Sequence, residues 1–110
     1  MAAGDVVIDF DSGRSIRGRR LIAGQVTLDG ANPTPIALGS YLRQVTGGVV
    51  SIQGSATPGD DPVAVTCLPD ATTISTLNVY AWQNTTGTDP TLVASTNNAR
   101  IIDFIAWGIP

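Results

Sequence analysis

Few of the side chains that usually carry out chemistry in proteins occur in this sequence. There is no histidine, lysine or glutamate, every acidic residue is Asp, every basic residue is Arg, and Cys67 is the single cysteine. Nucleophiles activated by histidine, Schiff bases and the lysine-containing phosphate loop all need residues that the chain lacks. A tetrahedral zinc site likewise needs several Cys or His ligands. The sequence therefore predicts no catalytic residue, no metal site, no cofactor and no enzymatic activity.

Carboxylates are the only potential metal ligands present in number. Asp9, Asp11 and Ser12 lie close together in one segment, and Asp60 and Asp61 lie in another. An oxygen-lined calcium loop is the alternative that these residues leave open, although neither segment has the spacing of an established calcium loop. Asp in a loop more often bonds its own backbone, so we interpret both segments as turns.

Arginine is concentrated near the N-terminus, among Gly and Ser. Arg14, Arg17, Arg19 and Arg20 all lie within seven positions, while the whole chain carries a net charge of -3. This pattern argues against a nucleic-acid partner, because the rest of the chain is acidic and no aromatic residue interleaves with the arginines. A solvated arm and ion pairing with carboxylates of a neighbouring subunit both remain open, and arginine suits such interface pairing well. We predict that these arginines are interface residues.

Three aromatic residues form the second candidate site. Tyr80, Trp82 and Trp107 lie in segments that are apolar at successive positions. They can serve as a platform for a sugar ring, or as core and subunit-interface residues. Because two-sided apolar strands are usually covered on both sides, we favour the interface interpretation.

The elements that must position these residues are strands. Gly, Pro, Thr, Val, Ile and Asn dominate the composition, and no segment shows the three-to-four spacing of an amphipathic helix. Short apolar runs separated by turn residues predict an all-β fold, an antiparallel β-sandwich or jelly-roll-like domain. Residues 1–20 are predicted to form an extended N-terminal arm or an edge strand, and residues 21–110 the sandwich domain.

The alternation of apolar residues along the chain predicts where the strands lie. The predicted strands span residues 21–28, 42–53, 63–68, 74–84, 92–96 and 100–108, with a turn at 29–35. Gly47 and Gly48 fit either a hairpin turn or a bulge in one long strand, and we favour the bulge. Cys67 is predicted to face inward. No run approaches the roughly 20 apolar residues that span a bilayer, and the N-terminus lacks the order of a signal peptide, so we expect synthesis in the cytosol and no membrane partner.

Three blocks of the sequence resemble a known class of protein. They are GQVTLDGANPTPIALG at 24–39, VVSIQGSATPGDDP at 49–62, and LNVYAWQNTTGTDPTLVAST ending in IIDFIAWG within 77–108. The chain resembles small virion structural proteins of tailed bacteriophages, of the capsid decoration or cement type. Residues 79–82, 89–91 and 106–108 carry the most characteristic part of the resemblance. The N-terminal segment lies outside the matched blocks.

The resemblance implies a place and a partner. It implies a non-enzymatic homo-oligomer on the capsid surface of the virion, bound to the major capsid protein of the same virus. Closed symmetry suits such a protein, and we favour a trimer. The alternative is a tail- or fibre-associated β-domain or a module that binds carbohydrate or a host surface. Such a module needs exposed aromatic residues, so the exposure of Trp82 and Trp107 bears on the choice.

Overall fold

Eight β-strands, and no helix, make up the part of the chain that the structure describes. The computed structural model describes residues 2–13, 18–53, 62, 64–85 and 91–110. The strands are β1 (Val6–Asp11), β2 (Arg20–Thr27), β3 (Thr34–Ala37), β4 (Gln44–Ile52), β5 (Ala64–Pro69), β6 (Thr76–Asn84), β7 (Leu92–Ala94) and β8 (Ile101–Ile109). The predicted all-β fold class is confirmed.

The strands form two antiparallel sheets. The first sheet has the order β1-β2-β8-β4, and the second has the order β3-β6-β5, with β7 also paired to β6. Every described strand pair is antiparallel. This arrangement is consistent with the predicted β-sandwich. The two strands that are apolar at successive positions, β6 and β8, each have partners on both sides.

Alternate residues of the central strands supply the core between the sheets. Ile102, Phe104 and Ala106 of β8 are buried, and so are Leu77, Val79 and Ala81 of β6. The other buried apolar residues are Ile22, Val26, Leu28, Ile36, Leu38, Leu42 and Val45. Burial of a large aliphatic side chain contributes roughly 1.5 to 3 kcal/mol, so this core is the main source of stability. The intervening residues of β6 and β8 face away from it.

One strand was missed by the sequence pattern. The prediction of a turn over residues 29–35 is wrong at its C-terminal end, because β3 begins at Thr34 and pairs with β6. Pro35 lacks an amide proton, but β3 is an edge strand, where one side of the backbone has no partner strand. Just before β3, the side-chain oxygen of Asn32 accepts a hydrogen bond of 2.9 Å from the Ala81 amide. A side chain thus replaces a backbone partner of β6 at this position.

Two bulges shape the first sheet. The register of β4 shifts between Val45 and Gly47, which confirms one long bulged strand rather than a hairpin. The register of β1 shifts between Ile8 and Phe10. Each bulge lies beside a glycine of the neighbouring strand: Gly108 pairs with Val45, and Gly24 pairs with Ile8. Bulged strands bend and twist more than regular ones, so the two bulges curve opposite edges of the sheet.

The N-terminal segment belongs to the first sheet. Residues 2–5 form a turn in which the Gly4 amide donates to the Thr27 carbonyl, and β1 then pairs with β2. Val6 and Ile8 pack against the core. Of the two alternatives for this segment, the described residues form an edge strand, and an extended arm is not seen in them. The boundary expected at residue 20 falls on the first residue of β2.

Candidate association surfaces

The outer side of the first sheet carries a row of apolar side chains across all four strands. Strand pairing aligns Phe10 with Ala23, Ala23 with Ile105, and Ile105 with Val49. Ile105 lies between the buried residues Phe104 and Ala106, so Ile105 and the three residues aligned with it face away from the core. Phe10 is 52% exposed, Ile105 41% and Val49 53%. We call this outer surface the first-sheet face.

The next row extends the apolar surface towards one end of the sheet. Leu21 pairs with Trp107, and Trp107 pairs with Gly47. A side-chain carbon added at Gly47 would lie 2.9 Å from the Trp107 ring. The indole therefore lies directly against the backbone of β4. Trp107, one of the predicted interface residues, is thus part of the first-sheet face.

Two shallow depressions of about 300 Å³ each lie on the first-sheet face. Arg19 lines one of them, together with Phe10 and Trp107. Asp103 lines the other, together with Val49. The remaining lining residues are Ser12, Arg20 and Leu21 in the first, and Val50, Ser51, Phe104 and Ile105 in the second. The two depressions carry opposite charges, one near β1 and β2 and the other near β4.

The predicted arginine cluster divides in the structure. The Arg20 guanidinium donates to both carboxylate oxygens of Asp11, at 2.7 and 2.5 Å, and to the Tyr41 carbonyl at 3.0 Å. It also lies 5.7 Å from the centre of the Tyr41 ring. Arg20 is therefore engaged within the chain, whereas Arg19 is exposed. Arg14 and Arg17 lie outside the described residues.

The Arg20 pair explains the state of Asp11. Hydrogen bonds from Arg20 and from the Gly13 amide hold the pKa of the Asp11 carboxyl below its usual value. Asp11 thus serves as the anion of an intrachain pair, and its second bond closes a turn, as the sequence predicts for Asp in a loop. Among the described residues, no group of three or more His, Cys, Asp or Glu could hold a metal ion. Asp60 and Asp61 lie outside the described residues.

Tyr80 and Trp82 lie on the opposite side of the sandwich. Their neighbours Val79 and Ala81 are buried in the core, so both aromatic residues face outward from the second sheet. Their ring centres are 6.4 Å apart, with 13° between the ring planes. The Trp82 indole N–H donates to Thr66 at 3.4 Å. We call the outer side of the second sheet the second-sheet face.

The three predicted aromatic residues therefore do not form one platform. Trp107 lies on the first-sheet face, and Tyr80 and Trp82 lie on the second-sheet face, with the core between them. Trp82 and Trp107 are both partly buried. Leu68, which is 60% exposed, adds an aliphatic side chain to the second-sheet face. Each face thus offers its own apolar surface.

Cys67 has the position that the sequence predicts for it. Its side chain packs against the core, and its sulfur lies 3.2 Å from the Gly48 carbonyl oxygen of the first sheet. Burial raises the pKa of the Cys67 thiol. A raised pKa lowers the fraction of thiolate, which is the nucleophilic form. This environment is that of a structural cysteine.

Sequence reasoning missed most of the first-sheet face. Phe10, Leu21, Val49 and Ile105 lie on four strands that are distant in sequence, and only the strand register brings them together. The apolar residues at successive positions of β8 were the available signal.

No helix long and apolar enough to cross a membrane is found in the described part of the chain. Comparison with protein-family models, curated proteins and solved structures finds no match to this chain.

Proposed function

We propose that this chain is a non-enzymatic virion structural protein, which decorates and stabilises a bacteriophage capsid by binding the major capsid protein of the same virus. The observation that carries the proposal is the exposure of apolar side chains on both faces: Phe10, Val49 and Ile105 on the first-sheet face, and Leu68 on the second-sheet face. Contiguous apolar patches on small domains mark association sites. Such a surface suits a protein whose function is contact.

The arrangement of the two faces supports the same proposal. The first-sheet and second-sheet faces lie on opposite sides of one core, so the domain can contact two partners at once. A bound protein that links neighbouring subunits stabilises a shell, because it binds the assembled state and not the dissociated one. The capsid partner and the place on the virion surface follow from the sequence resemblance.

A second candidate function rests on the aromatic pair of the second-sheet face. The Tyr80 and Trp82 rings are nearly parallel, with 13° between their planes. Nearly parallel rings beside a hydroxyl such as that of Thr66 suit the apolar face and the hydroxyl groups of a sugar ring. This arrangement favours a carbohydrate or host-surface binding module as the alternative.

Binding to empty shells tests the proposal. Shells assembled from the major capsid protein of the same virus, without this chain, are mixed with the purified protein and sedimented. We expect saturable binding at a fixed ratio to the capsid protein and a higher melting temperature of the shell. Val49→Asp and Leu68→Asp place a charge on the first-sheet and second-sheet face respectively, and at least one of them should weaken binding. Intact shells that bind no protein would contradict the proposal, and saturable binding to sugars lost in Trp82→Ala would favour the alternative.

A further inference from the structure

We infer that the first-sheet face is covered by the same face of a second copy of this chain, in a two-fold symmetric dimer. The inference concerns the isolated protein in solution and does not depend on the capsid proposal. It rests on three observations: the apolar area of the face, the absence of charge from its central row, and the opposite charges of its two depressions.

The exposed area of the face matches one side of a stable interface. Its large apolar side chains are each between 38% and 53% exposed: Val7, Phe10, Leu21, Val49 and Ile105. Because a free side chain of this size presents roughly 150 to 200 Å², together they expose on the order of 400 Å². A standard interface buries about 800 Å² per partner, of which a little more than half is apolar. The face and its polar rim are therefore large enough for one specific contact.

Burial of the centre of the face costs little desolvation free energy. Phe10, Ala23, Ile105 and Val49 form the central row, and none of them carries a polar group. Burial of this row leaves no charge or hydrogen-bonding side chain without water. A second copy offers an apolar row of the same length, and two sheets can pack face to face about 10 Å apart.

The charges of the face complement each other under a two-fold axis. The depression with Arg19 lies near β1 and β2, and the depression with Asp103 lies near β4, on the other side of the central row. An axis that lies in the plane of the face and runs across the strands, between the two depressions, places the depression with Arg19 over the depression with Asp103 of the second copy. Arg19 of one copy then faces Asp103 of the other, and the contact occurs twice. An axis parallel to the strands would keep Arg19 and Asp103 apart along the strand direction, because Asp103 pairs with Gln25, six residues from Arg19, so the charges select the orientation.

A two-fold contact through this face argues against the trimer that we favoured from the resemblance. A two-fold axis pairs a surface with itself, whereas a three-fold ring needs two different surfaces on each subunit. The first-sheet face is a single self-complementary surface. The second-sheet face then remains available for another partner.

The oligomeric state of the full chain in solution tests the inference. Sedimentation equilibrium, without shells present, should give a dimer. Val49→Ser should raise the dimer dissociation constant on the order of 100-fold, because each substituted residue counts twice in a symmetric contact. Leu68→Ser is the matched control, since Leu68 is similarly exposed on the second-sheet face, and it should leave the constant unchanged. A monomer up to about 1 mM, a trimer, or equal effects of the two variants would overturn the inference.

A charge exchange tests the orientation. Arg19→Asp and Asp103→Arg should each weaken the homodimer, because each creates two contacts between like charges. An equimolar mixture of the two variants should form a heterodimer, since both contacts then join opposite charges. A mixture that stays monomeric, with both variants folded by circular dichroism, would overturn the orientation. If Asp103→Arg does not fold, the salt dependence of dimerisation decides: it should be present in the wild type and reduced in Arg19→Gln, and equal salt dependence would overturn the orientation.

Discussion

Two glycines of the first sheet allow the close approach of neighbouring backbones. A side-chain carbon at Gly108 would lie 2.0 Å from the Gln44 carbonyl oxygen, and one at Gly24 would lie 2.0 Å from the Val7 carbonyl oxygen. Both glycines pair with a residue at the edge of a bulge. Because the obstructing atoms are backbone atoms, no side-chain rotation can relieve the contact. Glycine within a strand marks such a close approach.

We therefore predict that Gly108→Ala lowers the free energy of unfolding by about 2 to 4 kcal/mol, since the strand pair must separate locally. Gly39→Ala is the control, because the nearest atoms to an added carbon there are 3.4 Å away, in the Ser75 side chain. It should change the free energy of unfolding by less than about 1 kcal/mol. Urea denaturation measures both. Equal effects of the two substitutions on the free energy of unfolding would contradict the prediction that the strands must separate at Gly108.

The Asp11–Arg20 pair gives a second prediction at the residue scale. Because Arg20 and the Gly13 amide lower the pKa of Asp11, its charged form stabilises the fold above the usual value of 3.8, and this contribution is lost as the pH falls through the lowered pKa. Asp11→Asn should therefore be less stable than the wild type at about pH 7, and the difference should shrink towards about pH 2. Thermal unfolding across this range measures it. A difference that does not change with pH would contradict the role of the charge.

At the scale of elements, β1 is the strand whose contribution is easiest to isolate. Among the described strands it pairs only with β2, and it alternates between Val6 and Ile8, which pack on the core, and Val7, which is 40% exposed. A chain that begins at residue 13 keeps seven of the eight described strands and most of the core. It loses the Val6 and Ile8 side chains, which pack on the core, and the strand pairing between β1 and β2, which includes Gly24.

We predict that this truncated chain still folds but is less stable by about 3 to 5 kcal/mol. In the full-length chain, at a protein concentration at which it is monomeric, Ile8→Ala should lower the melting temperature and Val7→Ala should leave it nearly unchanged, because only Ile8 faces the core. Thermal denaturation followed by circular dichroism measures all three. An unchanged melting temperature of the truncated chain would mean that the N-terminal segment is an arm rather than a strand.

The sequence predicts a strand well where apolar residues that face the core alternate regularly with residues that face outward. The buried and outward sets of β6 and β8 follow the predicted alternation, because β6 pairs without a register shift with β3 and β5, and β8 does so with β2. β3 was missed because Asn32, Pro33 and Pro35 are typical of turns, and the hydrogen bond from Ala81 to Asn32 forms only when distant segments meet. The location of β1 was predicted, while its role as an edge strand was one of two alternatives.

At the scale of the whole molecule, the candidate site depends on register, which local patterns do not determine. Phe10 faces outward only because a bulge precedes it, and Val49 aligns with Ile105 only after the bulge in β4. A shift of one residue would turn either side chain to the other face. For this reason the sequence identified Trp107 as an interface residue and missed its apolar neighbours. It also grouped Trp107 with Tyr80 and Trp82, which the two-sheet fold places on the opposite face.

The position of β8 within the first sheet has a consequence for synthesis. β8 is the last strand in sequence, yet it lies between β2 and β4, pairing with residues that are about eighty and sixty positions earlier. On the ribosome, the first sheet cannot close until residue 109 has left the exit tunnel. Until then, β2 and β4 of the nascent chain have unpaired edges and an uncovered apolar side. The first sheet is thus exposed to aggregation and to chaperones while residues 53–100 are translated, and it closes only after β8 has emerged.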